Sequence, residues 1–195
     1  IESLLAENYG KEVWEELIQK DPDLATRLSD AKLYSDRKNA LLEFKSNLDS
    51  KNDDESYWQD FFKNNTWIFG YGLNYQFLDI MKDQPTYGGA NYTGSGTQRG
   101  DYLTLTRGFI RFTVLVEIKT PKTLLFTYSK NKQVEKNRNG SCLLSRHILG
   151  GVSQVQINCK TWSENSQLKV NAAQLERDNS FTVQPKGILI IGNTS

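Results

Sequence analysis

The chain of 195 residues has few of the side chains that metal-binding scaffolds and many hydrolases require. It contains two cysteines and one histidine, too few to supply the four ligands of a structural zinc site. A single histidine also argues against Ser-His-Asp and Cys-His hydrolases. We therefore predict that Cys142 and Cys159 are buried thiols, as in proteins of the reducing cytoplasm, and that His147 is structural.

Long hydrophobic runs are missing as well. No stretch approaches the roughly 20 apolar residues of a membrane helix, and the first residues lack the basic start and apolar core of a secretory signal. We expect a cytoplasmic protein with no membrane partner. The hydrophobic content of 37% and the charged content of 24% are those of a globular domain with an ordinary core.

Charge is balanced overall but unevenly distributed along the chain. The net charge is +1, yet residues 1–60 hold 15 acidic and eight basic side chains, whereas residues 118–160 hold eight basic and one acidic. The later segment would attract a polyanion such as nucleic acid. A solvated basic surface explains the same pattern, and both interpretations stay open on charge alone.

Two regions differ in their periodicity. Residues 1–50 are rich in helix formers with apolar positions at helical spacing, and Asp21-Pro22 predicts the end of one helix and the start of another. Residues 51–195 form the main domain. A helix with Trp58, Phe61 and Phe62 on one stripe is predicted to begin near Glu55.

The rest of the main domain mixes strands and helices. Residues 101–106 and 110–120 predict an antiparallel hairpin turning near Arg107 and Gly108, and residues 144–162 predict a helix. Further strands are expected at 123–128, 181–183 and 188–191, with loops at 83–100 and 130–139. The fold class is therefore α/β, a mixed sheet flanked by helices with an N-terminal helical segment. Because the chain stops just after an apolar strand, we expect the domain to continue beyond it.

An acid and a base share one face of the most apolar strand. In the run from Val114 to Lys119, alternation places Glu117 and Lys119 on the same side. Charges in so apolar a strand require a partner or a metal. Asp101, at the start of the preceding strand, is a candidate partner.

The register of the hairpin tests this idea. In a regular antiparallel pair the numbers of opposed residues have a constant sum. A two-residue turn would place Asp101 and Glu117 on opposite faces, whereas direct opposition requires a sum of 218 and an odd-length loop or a bulge. We predict the second register. Two converging carboxylates suit Mg²⁺ (or Mn²⁺), and a nearby ammonium could orient a water or stabilise developing charge.

Gly100-Asp101 followed by Glu117-Ile118-Lys119 resembles the core of PD-(D/E)XK nucleases. The segment from Glu55 to Phe62, the strand ending at Pro121, the helix around Gln154 and the run Lys186–Gly192 resemble the Shedu antiphage nuclease family. The resemblance implies a restriction-endonuclease-like core and a metal-dependent DNA endonuclease of bacterial defence, built as a homo-oligomer. It also implies cuts that leave a 5′-phosphate and a 3′-hydroxyl.

The resemblance further implies roles for particular residues. Asp101 and Glu117 would bind the metal, and Lys119 would position or activate the attacking water. Glu55 matches an acid of the first core helix that can assist metal binding. A helix-start acid favoured by the helix dipole is the other explanation for Glu55. Gln154 matches a glutamine that follows the catalytic strands, although Asn158 stands where an aromatic residue is common in relatives.

The basic segment is predicted to contact the DNA backbone without reading sequence, and Tyr128 could stack on a base. The candidate DNA-binding residues are Lys122, Lys130, Lys132, Lys136, Arg138 and Arg146. Two alternatives stay open. One is a repair or recombination nuclease with the same core; the other is a catalytically silent nucleic-acid-binding scaffold in which Glu117 and Lys119 form a structural ion pair.

Overall fold

The structure, a computed structural model, describes residues 10–50, 52–73, 78–87, 99–109, 111–138 and 140–192. The chain divides into two compact units, Ile1–Ser50 and Lys51–Ser195. Parts of the predicted 83–100 loop, together with Tyr75 and Phe77, lie outside the described residues. No helix in the described ranges combines the length and apolarity needed to cross a membrane.

The first unit contains two helices that pack on each other, α1 (Gly10–Lys20) and α2 (Pro22–Asp49). The predicted break between them is confirmed. Asp21 caps α2 by accepting a hydrogen bond from the Leu24 N–H at 2.9 Å, and Pro22 occupies the first helical position, where no backbone donor is needed. Ala25 and Ala40 are buried.

The second unit begins with the aromatic helix α3 (Glu55–Asn64), capped by the Asp54 side chain, and a 3-10 helix (Thr66–Leu73) follows. Three aromatic side chains of α3 are buried, and the ring of one, Phe62, packs 5.7 Å from the ring of Phe69. The apolar stripe predicted from the sequence is therefore the buried face of the helix. The buried side chains are those of Trp58, Phe61 and Phe62.

A four-stranded mixed sheet forms the centre of this unit. Its strands lie in the order β1 (Leu78–Asp83), β2 (Tyr102–Thr106), β3 (Arg111–Ile118) and β4 (Ser180–Ile190). The first three pair antiparallel, and β4 runs parallel to β3. The predicted α/β class is confirmed.

The two late strands predicted from the sequence are one continuous strand, β4. Phe181 of β4 pairs with Phe112 of β3, and the next paired residues are Lys186 and Val114. Between these two pairs, β4 contains more residues than β3. Pro185 lies within the skipped stretch. Because proline has no backbone donor, an unpaired bulge is the position at which a paired strand tolerates it. The polar interruption in the sequence is therefore a bulge and not a strand end.

Two helices lie between β3 and β4 in sequence, α4 (Arg146–Asn165) and α5 (Lys169–Arg177), and α4 packs against both of these strands. Close approach of α4 requires glycine: a Cβ at Gly187 would lie 2.1 Å from Val155 Cγ1. The sequence did not predict α5, because its apolar periodicity is weak. Of the α5 side chains that the structure describes, Asn171 and Leu175 are buried. The core cluster between sheet and helices consists of Tyr87, Leu103, Leu115, Trp162 and Leu175.

The connection from β3 to α4, residues 119–145, differs from the prediction. In place of a strand at 123–128 and an open loop at 130–139, three short segments pair with one another through single bridges, Phe126 with Leu144, Tyr128 with Val134, and Lys136 with Cys142. The segments satisfy their backbone groups among themselves and not in the main sheet. Cys142 is therefore exposed, contrary to the prediction of a buried thiol, whereas Cys159 is partly buried.

Candidate active site

Polar side chains from five parts of the second unit line one cleft at the end of β3. The cleft has a volume of about 300 Å³. The cleft is lined by Asp101, Glu117 and Lys119, the three residues predicted to carry the chemistry. Glu55 and Gln154 line it as well. The lining residues are Glu55, Gln84, Arg99, Gly100, Asp101, Glu117, Lys119 and Gln154.

The hairpin register brings the two acids together. The β2–β3 pairs Tyr102 with Val116 and Leu105 with Thr113 both have a residue sum of 218. The same sum places Asp101, one residue before β2, opposite Glu117. The predicted register is confirmed, and the two-residue turn is excluded.

The Asp101 carboxylate is held by two donors. Gln59 Nε2 donates to Oδ1 at 2.6 Å, and the Ile118 backbone N–H donates to Oδ2 at 2.6 Å. The residue is 8% exposed. Burial raises the pKa of Asp101 from 3.8 to about 7, and the Glu117 charge adds to the rise, while the Ile118 hydrogen bond opposes it. The carboxyl is thus poised between its charged and neutral forms near neutral pH.

Gly100 fixes the position of this acid. A Cβ at Gly100 would lie 2.7 Å from the ring carbon Cε2 of Tyr87, well inside van der Waals contact. The Tyr87 hydroxyl donates to the Tyr102 carbonyl oxygen at 3.2 Å. Only glycine lets the backbone pass this close to the ring, so the Gly-Asp pair is a packing requirement as well as a motif.

Glu117 is the most deeply buried acid of the cleft, with 3% of its surface exposed. Its Oε1 accepts a hydrogen bond of 2.7 Å from Lys119 Nζ. Its Oε2 is buried and, among the described residues, has no hydrogen-bond partner of ordinary geometry. Burial raises the pKa of Glu117, while the Lys119 ammonium and, more weakly, the Gln154 amide lower it.

Lys119 lies between two acids. Its ammonium is 2.7 Å from Glu117 Oε1 and 3.7 Å from Glu55 Oε1, and its backbone N–H donates to the Ile190 carbonyl at 2.8 Å. Burial works to lower the pKa of Lys119, but the hydrogen bond to Glu117 and the charges of the surrounding acids outweigh it, so the pKa lies above the ordinary value. Lys119 is therefore a cation and hydrogen-bond donor at neutral pH.

Glu55 and Gln154 reach the cleft from two different helices. Glu55 begins α3 and its side chain is 47% exposed, which leaves room for a water between it and an ion. Gln154 comes from the middle of α4, and its amide is near enough to influence the Glu117 carboxylate. The structure thus brings both sequence candidates to the cleft.

Four polar residues of the site were not predicted from the sequence, and one of them, Gln84, lines the cleft just after β1. Gln59 contacts Asp101 directly, Arg99 is an exposed cation on the cleft wall, and Asn158 Nδ2 donates to the Arg99 carbonyl at 3.4 Å. Gln59 could have been found, because it follows Glu55 by four residues and therefore lies on the same face of the helix. Asn158 therefore supports the backbone next to Asp101. This contact gives a structural role to the position at which relatives commonly have an aromatic residue.

The donor set suits a hard divalent cation. No three His, Cys, Asp or Glu side chains surround one metal position in the ranges that the structure describes. Two carboxylates nevertheless fit Mg²⁺, because this ion keeps several waters and uses one or two protein carboxylates. The unpartnered Oε2 of Glu117 also suits a cation, because a buried acceptor without a donor is costly.

The six candidate DNA-binding residues all lie on the surface. Each is exposed, five lie on the 119–145 connection, and Arg146 begins α4. Lys122 pairs with Asp53 at 3.5 Å. Tyr128 on the same connection is 44% exposed, so its ring is accessible. Their role in DNA binding stays a prediction.

Fold and cleft together define an α/β domain in which two buried carboxylates and a lysine meet at the end of the central strand. Over residues 52–195 the chain matches the family model described as Shedu protein SduA, C-terminal. Because the match covers well over half of the sequence, the chain belongs to the Shedu family, and the resemblance inferred from its motifs is confirmed. Membership points to a role in antiphage defence. A comparison with curated proteins found no match.

Proposed function

We propose that the chain is a metal-dependent endonuclease that hydrolyses phosphodiester bonds in DNA as part of bacterial antiphage defence. The observation that carries the proposal is the convergence of the Asp101 and Glu117 carboxylates with the Lys119 ammonium on one cleft. Mg²⁺ or Mn²⁺ is the cofactor, DNA is the substrate, and we expect a cytoplasmic homo-oligomer.

The charges of the cleft explain why a cation would be needed. Among the residues that the structure describes, three acids line the cleft together with two cations, Lys119 and Arg99, so with its acids ionised the cleft would present net negative charge to an entering phosphodiester. A divalent ion held by Asp101 and Glu117 would offset phosphoryl charge and lower the pKa of a coordinated water. The orphaned oxygen of Glu117 supports this assignment.

The protein groups then have separate tasks. Lys119, protonated and anchored by Glu117, donates hydrogen bonds to the attacking water or to the phosphoryl oxygens on which charge develops. Attack by water forms a new P–O bond and breaks the bond to O3′. The leaving oxygen takes up a proton, which yields a 5′-phosphate and a 3′-hydroxyl. Arg99 at the cleft wall is suited to hold a neighbouring phosphate.

One feature favours a second candidate, a catalytically silent nucleic-acid-binding module. The 2.7 Å pair between Lys119 Nζ and Glu117 Oε1 balances the two charges without a metal, as a purely structural ion pair would. A repair or recombination nuclease would use the same cleft, and family membership favours defence over that role.

Nicking of supercoiled plasmid separates these functions. We expect cleavage with Mg²⁺ or Mn²⁺, none with EDTA, and a loss of at least about 100-fold for Glu117→Gln and Lys119→Met. Glu164→Gln is the matched control, since Glu164 is exposed on α4 and does not line the cleft. Cleavage that survives EDTA and both cleft substitutions would contradict the proposal. DNA binding without cleavage by the wild type would favour the silent module.

A further inference from the structure

A neutral amide from α3 holds the Asp101 carboxylate. Gln59 Nε2 lies 2.6 Å from Asp101 Oδ1, and this contact joins residues 42 positions apart in the sequence. The Gln59 side chain thus acts across the gap between α3 and the start of β2. Such a contact depends on the tertiary fold and is not part of the helix itself.

The contact has the features of an orienting clamp. With Gln59 on Oδ1 and the Ile118 N–H on Oδ2, each oxygen of Asp101 has one directional donor. Two donors on opposite oxygens fix the plane of a carboxylate, and each oxygen keeps a lone pair for another partner. The backbone of Gln59 is tied down as well, because its carbonyl accepts a hydrogen bond from the hydroxyl of Tyr102, the residue after Asp101.

The chemistry of the amide also matters. Glu117 is bound by Lys119, a charged partner, whereas the side chain that binds Asp101 is uncharged. A lysine or arginine at position 59 would neutralise Asp101 and repel a cation. Glutamine holds the carboxylate without removing its attraction for a metal ion, as groups behind metal ligands commonly do.

We propose that Gln59 is a positioning residue that orients the Asp101 carboxylate toward the divalent cation. This inference rests on the proposed function, because it assumes that Asp101 binds a metal. Removing the amide should leave the fold in place and weaken metal binding by about 10- to 100-fold, the range typical of groups that orient metal ligands.

The test measures the binding of Mn²⁺ to the full chain without DNA. Binding is monitored as the decrease in the electron paramagnetic resonance signal of free Mn²⁺. Gln59→Met keeps the length of the side chain and removes the donor. Gln156→Met is the matched control, because Gln156 is an exposed glutamine on α4. We expect the Kd for Mn²⁺ to rise about 10- to 100-fold in Gln59→Met and to stay within twofold of the wild type in the control.

Plasmid nicking provides an independent readout. A positioning role raises the Mn²⁺ concentration that gives half-maximal cleavage, whereas a merely structural defect lowers the plateau rate by removing folded protein. If Gln59→Met loses its cooperative melting transition, Gln59→Ala replaces it, because alanine favours the helix and removes the same amide.

The outcomes distinguish the two proposals. If the wild type binds Mn²⁺ and the folded Gln59 variant binds it equally well, the inference is wrong and the proposed function stands. If the wild type neither binds Mn²⁺ nor cleaves DNA, the proposed function fails and the inference fails with it.

Discussion

Replacing Asp101 by asparagine is expected to flatten an unusual dependence of folding stability on pH. Burial raises the pKa of Asp101 from 3.8 to about 7 in the folded chain. The unfolded chain therefore releases this proton first as the pH rises. The stabilisation due to protonated Asp101 is complete below a pH of about 4 and is lost as the pH rises to about 7, which is the reverse of ordinary acid denaturation.

The size of the effect follows from the two pKa values. Integrating proton release between them makes the fold less stable at pH 8 than at pH 5 by about 2.5 kcal/mol. Glu117, whose pKa is also raised by burial, acts in the same direction. Lys119 contributes nothing across this window, because its pKa lies above 10.5 in the folded state.

Urea unfolding in EDTA at several pH values between 5 and 8 measures this difference. A Trp14→Phe background restricts the tryptophan fluorescence to the second unit, which contains Trp58, Trp67 and Trp162. Asp101→Asn keeps an oxygen for the Ile118 N–H, and an inverted Gln59 amide can accept from its nitrogen. We expect this variant to lose about 2.5 kcal/mol of the pH dependence.

The exposed variant Glu164→Gln serves as the control and should keep the wild-type dependence. The reasoning is refuted if Asp101→Asn and the parent show parallel stability curves from pH 5 to pH 8. Saturating Mg²⁺ should also flatten the parent curve, because bound metal favours the ionised carboxylate.

Three further predictions concern the cleft and its approach. Lys119→Met should lower the free energy of unfolding at pH 8 by about 2 kcal/mol, because it removes the hydrogen-bond donor from buried Glu117. Adding Glu117→Gln should restore most of this loss, and urea unfolding of the single and double variants measures both effects. Gly100→Ala should destabilise by about 1–3 kcal/mol through its clash with a tyrosine ring, whereas Gly150→Ala, with nothing within 4 Å, should stabilise α4 by up to about 1 kcal/mol in thermal unfolding. Lys130→Ala should weaken DNA binding at low salt and lower the slope of log Kd against log salt by about one; an unchanged slope would exclude a phosphate contact there.

The parts of the fold that were predictable are those specified by local chemistry. The Asp21-Pro22 cap fixed a helix start, and the alternation around Glu117 fixed which side chains share a face. The register of the β2–β3 hairpin could be predicted from one assumption, that Asp101 and Glu117 lie opposite each other. These features depend on neighbours in sequence or on one strand pair, so a pattern can reveal them.

The parts that could not be predicted depend on tertiary pairing. The bulge around Pro185 follows from the parallel pairing of β4 with β3, and the bridges around Tyr128 follow from backbone groups that find no place in the main sheet. The contact between Gln59 and Asp101 joins a helix to a strand start far along the chain. No local sequence pattern encodes that contact, although helical spacing from Glu55 would have identified the correct face of α3.

The length of the β2–β3 turn is constrained even though the turn lies away from the cleft. Surface turns usually gain and lose residues freely during evolution. Here the residue sum of 218 keeps both acids on one side of the sheet, and a single insertion would turn one of them to the other side. Viable descendants of this sequence should therefore change this turn two residues at a time, or compensate a single insertion with a new bulge.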